Sequence, residues 1–526
     1  MSKYNALKTP ELPTETNKMG EAAYNLSAQE EVVATTLTTF VQKSYYESEN
    51  EIVNRIISSA EKCKPQFIAK LALYLRREAN MRSVSHLLGG YLAKHAKGNQ
   101  WGKSFYHKLA VRPDDMAEVV AFLTSDGKKL PAVVRKGFKL KMEELDPYRI
   151  DKYKMSSKNV SLIDLVRLTH PKVNQKNAEA YDRLVHGKSL DGLYTTKILD
   201  REKSKGGDKA EAIRVTLEAN GEATPVMNLV RNLRDIVLHT PEKADLVASI
   251  LTNKEKIKES KMLPFRFASA YAEVEKLRSP SYSSYRGSGI KFEDEVKTVK
   301  KDVVASVLSS IETALELSCD NIPVFDGNTA ILIDHSGSMR GDDGGDSLIS
   351  QFSSVKTSTI ADVFAVLMLN AQKNVYVGLF GDKLVPVKVD RSKGLFDMVK
   401  KTNRLGRTVG AGTENGIFLF LKDAIKNKKK VDNLVIFSDM VIGDGCGWYG
   451  VGDYGNFNTL FKAFKKINPR CNVVSVDLHQ TDGTSVFNAK YGVHQVAGWS
   501  EKIFDVMRGK GGYAEIIKEI EKIELL

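Results

Sequence analysis

Cysteine is scarce: four residues in 526, at Cys63, Cys319, Cys446 and Cys471, with no C-x-x-C spacing among them. That excludes a zinc knuckle and a disulfide-stapled scaffold, and it suits a reducing compartment. No uninterrupted apolar run reaches membrane-spanning length. The opening MSKYNALKTPELPTETNK lacks the apolar stretch of a signal peptide. We therefore expect a soluble cytoplasmic protein with no membrane partner. A phosphate-cradling GxxxxGK[ST] loop is also missing, which removes the usual nucleotide-hydrolysing classes.

What is present divides the chain in two. A length of 526 residues is too much for one hydrophobic core. From about Glu30 to about Glu275, apolar residues recur at helical spacing in EIVNRIISSAEKC, PQFIAKLALYLRREA, SVSHLLGGYLAKHA and DDMAEVVAFLTS. Short helices in series predict an α-solenoid, although no exact sequence period is visible. SPSYSSYRGSG, Ser279–Gly289, reads as a connector, or as an aromatic and basic loop able to touch RNA. A long helix is expected over about Lys291–Ser318. After Asn321 the β-branched runs TAILIDHS, NVYVGLFG, NLVIFSD and CNVVSVDLH alternate with helical stretches. That alternation predicts a mainly parallel, Rossmann-like sheet covered on both faces. We place the two domains at 17–320 and 321–526. The net charge of +13 favours a polyanionic partner, and the excess is shared by both parts.

Asp334, Ser336 and Ser338 form D-x-S-x-S directly after a strand, so their oxygens can converge on one point. Thr413 in VGAGTENG and Asp439 in LVIFSDMVIGDG end later segments. Carboxylate and hydroxyl oxygens without sulfur or imidazole suit a hard cation, Mg²⁺ or another divalent ion. Together the five residues resemble the metal-ion-dependent adhesion site of von Willebrand factor A domains. The competing reading is that Asp334 and Ser336 only cap the next turn. His335 is expected to be exposed on the loop with no ligand role, and GDDGGD, Gly341–Asp346, reads as a solvated loop. No nucleophile or base accompanies the set. A two-metal nuclease of Asp334, Glu414 and Asp439 has too few bridging carboxylates, so we expect no catalytic residues and no enzyme.

The helical part carries a more specific likeness. KMGEAAYNLS, TTFVQKSYYESENE, DPYRIDKY with SLIDLVRLTHPK, TPVMNLVRNLRDI and LPFRFASAYAEV, followed by ELSCDNIPVFDGNTAILIDHSGSM, resemble the TROVE module of the Ro 60 kDa autoantigen family. The resemblance runs over roughly residues 17 to 500. It implies a ring of HEAT-like helical repeats joined to a von Willebrand factor A domain. It also implies small non-coding (Y-like) RNA on the outer surface, and single-stranded 3′ ends of misfolded RNA in a central hole. A nuclease or other protein could dock through the A domain, and the expected state is a monomer. On this resemblance Lys152, Lys154, Arg167, His170 and Lys172 fall on the Y RNA segment, and Arg231 and Asn232 on the R-N-L element. His170 could instead only end a helix, and Arg231 and Asn232 could brace one. Arg76, Arg77 and Arg82 read more readily as a solvated face than as an RNA contact. K-S-Y-Y, Lys43–Tyr46, and the charged insertion Arg201–Val215 depart from the family pattern. The rival reading is a protein-interaction scaffold that captures an acidic partner through Mg²⁺.

Overall fold

A computed structural model describes residues 15–16, 22–39, 48–124, 129–153, 155, 159–186, 209–278, 299–319, 322–341, 347–348, 355–413, 416–440, 442, 457–479, 484–487, 493–498, 502–509 and 512–526. Lys154, Glu414, the loop 279–289, most of the run 341–346 and the first part of the 201–215 insertion lie outside them.

The α/β part is built on a six-stranded sheet: β3 (Asn328–Asp334), β4 (Asn374–Phe380), β5 (Leu384–Pro386), β6 (Asn433–Ser438), β7 (Asn472–Asp477) and β9 (Val493–Ala497). Their spatial order is β5-β4-β3-β6-β7-β9, and every pairing is parallel except that of β4 with β5. Ile331, Leu332 and Ile333 are all fully buried, because helices cover both faces. Each such side chain contributes about 1.5–3 kcal/mol. The covering helix Thr357–Ala371 is buried over most of its circumference. The strand order reverses between β3 and β6, which opens a crevice at their carboxyl ends.

The chain packs as two compact units. The first holds residues 1–144, 155–172 and 321–526; the second holds 145–154 and 173–320. In the first unit, helices Ala28–Leu37, Glu49–Glu61, Pro65–Arg77, Arg82–Tyr91, Trp101–Leu109, Pro113–Thr124, Ala132–Glu143 and Leu162–Thr169 follow one another. Ser27, Ser48 and Ser161 start three of them with reciprocal capping boxes, each closed by an acid three residues on. Helix packing is close: a Cβ on Gly137 would stand 2.5 Å from that of Tyr106.

The same unit joins these helices to the sheet domain. Strand β2 (Ala22–Asn25) pairs with β1 (Glu15–Thr16) and with β8 (Thr484–Ser485). Lys70 pairs with Glu521 at 3.1 Å. These short strands escape periodicity reading, since two to four residues carry no pattern. In the second unit, helix Lys301–Ser318 packs on Ala244–Leu251, Lys254–Ser260 and Pro264–Glu275. Among the described residues it begins at Lys301 rather than near Lys291, with 299–300 non-helical.

Candidate functional site

The sheet register puts Asp334 at the end of β3 beside Ser438 at the end of β6. Asp334 is fully buried. Its two oxygens accept from the Ser336 amide at 2.8 Å and the Ser438 hydroxyl at 2.5 Å. Ser336 Oγ lies 3.2 Å from Ser338 Oγ, which donates to Asp439 Oδ2 at 2.5 Å. Four of the five sequence-derived residues are thus linked through one chain of oxygens. The fifth, Thr413, is buried two residues beyond Ala411, whose carbonyl accepts from the Gly337 amide at 2.6 Å. Burial pushes the Asp334 carboxyl up, against the hydrogen bonds from Ser438 and Ser336 that pull it down. Buried oxygen donors with no ammonium or guanidinium bound to them fit a small hard cation.

Three supporting features were not legible as site residues. Arg340, on the turn after Ser338, donates to the Gly406 carbonyl at 2.9 Å and the Gly410 carbonyl at 3.0 Å. Asp382 accepts the Ala411 and Gly412 amides at 3.1 and 3.0 Å. Together they clamp the loop that carries Thr413. His335 corrects an expectation: it is not exposed on the loop but fully buried, with Nε2 2.9 Å from Asp362 Oδ1. Its ring lies against Gly406, where a Cβ would come within 1.9 Å of Nδ1. The available signal was Asp362, a lone acid in the otherwise apolar helix STIADVFAVLML.

The basic residues fall into separate places. Lys152, in the second unit, hydrogen-bonds the Tyr148 hydroxyl at 3.0 Å and sits 5.1 and 5.7 Å from the Tyr148 and Tyr153 ring centres. Arg167, His170 and Lys172 belong to the first unit. Arg167 is exposed, 3.9 Å from Asp164. His170 ends helix Leu162–Thr169 in a left-handed conformation at φ 45°, its amide bonded to Val166. Lys172 donates its backbone amide to Glu143, which leaves its ammonium outward.

In the second unit, Asn232 spends its amide nitrogen on Asn228 within its own helix, as a brace does. Arg231 ends helix Val226–Arg231, which packs against helix Pro264–Glu275, where Arg266 stands in the first turn. Burial, and then the nearby charge of Arg231, pull the Arg266 guanidinium below its ordinary value. Among the described residues neither arginine has an acidic partner. Arg266 lies only 5.1 Å from the Phe265 ring centre.

The arginines Arg76 and Arg82 are structural instead. Arg76 is buried and grips Asp115 through two nitrogens at 3.0 and 2.8 Å. Arg82 reaches both Asp114 and Asp115. His86 Nε2 lies 2.9 Å from the same Asp115, and the Arg112 amide completes the set at 2.8 Å.

A helical array and a von Willebrand A-like sheet domain, with an all-oxygen site at the strand-order reversal, define a class of binding proteins rather than of hydrolases with a phosphate loop. Residues 15–244 match the family model of the TROVE domain, and the chain is a TROVE-domain protein. Its fold is similar to the crystal structure of the Deinococcus radiodurans Ro (RSR) protein, with a TM-score of 0.59. That likeness covers 92% of this chain and 99% of the other at 16% identity. Telomerase protein component 1 of Rattus norvegicus is 27% identical over 108 residues. The match takes in 19% of this chain and only 4% of that much longer protein. TROVE and Ro proteins are an RNA-binding family.

Proposed function

We propose that this protein is a non-catalytic, cytoplasmic, monomeric RNA-binding protein acting in RNA quality control or maturation. It holds a small structured non-coding RNA on its outer surface through Lys152, Lys154, Arg167, His170 and Lys172. Single-stranded 3′ ends of structured or misfolded RNA enter a central hole enclosed by the helices. The observation that carries the reading is the pair Arg231 and Arg266, two neighbouring guanidinium groups with no carboxylate to neutralise them. A phosphodiester relieves that repulsion, and a run of such contacts holds a strand whatever its sequence. The net charge of +13 supports the same partner. Lys152 between two tyrosines offers a cation beside rings that can stack on unpaired bases.

Filter binding tests this with an RNA hairpin carrying a free 3′ single strand against a blunt duplex. The expected result is salt-sensitive binding that favours the hairpin. Equal binding of the two, or none at low salt, overturns it. Incubating the protein with labelled RNA and Mg²⁺ checks the absence of catalysis, and sustained cleavage would contradict it.

A second reading rests on the oxygen cluster. Asp334, Ser336, Ser338, Thr413 and Asp439 would hold Mg²⁺ or another divalent cation, whose role is to accept a carboxylate from a protein partner such as a nuclease. The two readings are compatible. Loss of a co-purifying protein on Asp439→Ala, with RNA binding intact, separates them.

A further inference from the structure

In the first unit, the starts of three helices, Ala28–Leu37, Pro65–Arg77 and Trp101–Leu109, line one cleft of about 1090 Å³ whose wall is completed by Glu521–Leu526. Two of these helices, of 13 and 9 residues, begin without a side-chain cap, so their first amides have no side-chain acceptor. Ser27 caps the third. Trp101 is buried to 7% exposure and lines the cleft, and its indole N–H has no acceptor among the described residues. A buried donor without a partner costs about 1–3 kcal/mol, which makes it a signal of something that binds there.

The charges point the same way. Of the cleft lysines, Lys62 pairs with Glu31, Lys70 with Glu521 and Lys522 with Glu519. Lys64, at the start of helix Pro65–Arg77, has no acidic partner among the described residues. Glu524 on the tail wall repels an anion and so places it toward the helix starts. Phe67, Trp101 and Leu525 supply apolar surface for a planar body.

We propose that this cleft binds a nucleoside phosphate. The phosphate sits at the uncapped starts of helices Pro65–Arg77 and Trp101–Leu109 beside Lys64, and the base lies against Phe67, Trp101 and Leu525. This site is separate from the RNA contacts and from the oxygen cluster proposed above.

The test uses the full chain freed of RNA, with ¹⁵N-labelled indoles followed by NMR. Three tryptophans give three resonances, and Trp101→Phe identifies its own. Adenosine 5′-monophosphate should shift the Trp101 signal saturably, and adenosine should not. Lys64→Glu should weaken binding at least tenfold; Lys64 is exposed, so the variant should fold. Should Trp101→Phe fail to fold, calorimetry on the wild type and Lys64→Glu decides. Adenosine binding as tightly as its monophosphate, or unchanged affinity in Lys64→Glu, overturns the proposal.

Discussion

Two buried aspartates, one among the N-terminal helices and one at the end of the sheet, meet burial in opposite ways. Asp115 is 1% exposed and is surrounded by Arg76, Arg82 and His86. Burial alone would raise its carboxyl, but the bonds and charges of His86 and Arg76 hold it far below the usual carboxylate range. Asp334 has the same burial and receives hydrogen bonds only from hydroxyls and an amide, and its carboxyl is pushed up. The first is a closed electrostatic knot that needs nothing further. The second is an acid whose bonded partners carry no positive charge, which is where a cation belongs.

Breaking the knot should have the largest effect. Asp115→Asn leaves the buried Arg76 guanidinium without its partner, so a loss of about 3–5 kcal/mol is expected in urea unfolding. Because the folded carboxyl lies below its ordinary 3.8, its contribution is full above about pH 4 and fades as the pH falls further. The gap between wild type and Asp115→Asn should therefore close on acidification below that point. A gap that persists unchanged at pH 2 contradicts this account.

The open acid makes the complementary prediction. Mg²⁺ at about a hundredfold excess over its dissociation constant should stabilise the wild type by about 2.7 kcal/mol. The gain should vanish in EDTA and in Thr413→Ala or Asp439→Ala. Thermal melts indifferent to both metal and chelator would remove the cation from the site.

A smaller effect tests the unpaired arginines. Charge reversal at Arg231 or Arg266 should weaken RNA binding about tenfold, near 1.4 kcal/mol, and lower the salt slope by about 1. An unaltered slope would show that no phosphate sits there. The smallest change is expected from Lys70→Ala at the exposed pair with Glu521, within about 1 kcal/mol by chemical unfolding. A loss as large as that from Asp115→Asn would erase the distinction between buried and exposed pairs.

Much of this was legible in the residues. The β-branched runs predicted β3, β4, β6 and β7 because a strand buried on both faces has to be apolar throughout. The oxygen set was legible because D-x-S-x-S follows a strand, and the ends of parallel strands gather on one side of a sheet. Arg340, Asp382 and Ser438 were not, since a polar residue in a loop or at a strand end looks the same whether it clamps a backbone or faces water. The Asp115 knot was hidden for a related reason: Arg76 and Arg82 read as a solvated face when their acidic partners stand more than thirty residues away.

The amino-acid pattern by itself determined the class of each element and the chemistry available at the strand ends, because periodicity and side-chain oxygen content are local properties. Tertiary packing decided which charges are neutralised and which are left open. Arg76 became a strut while Arg231 and Arg266 stayed unpaired, and Asp115 became a sealed anion while Asp334 kept only neutral donors. The physical reason is that desolvation and Coulomb attraction depend on what folding brings within a few ångströms, and residues far apart in the chain supply most of it.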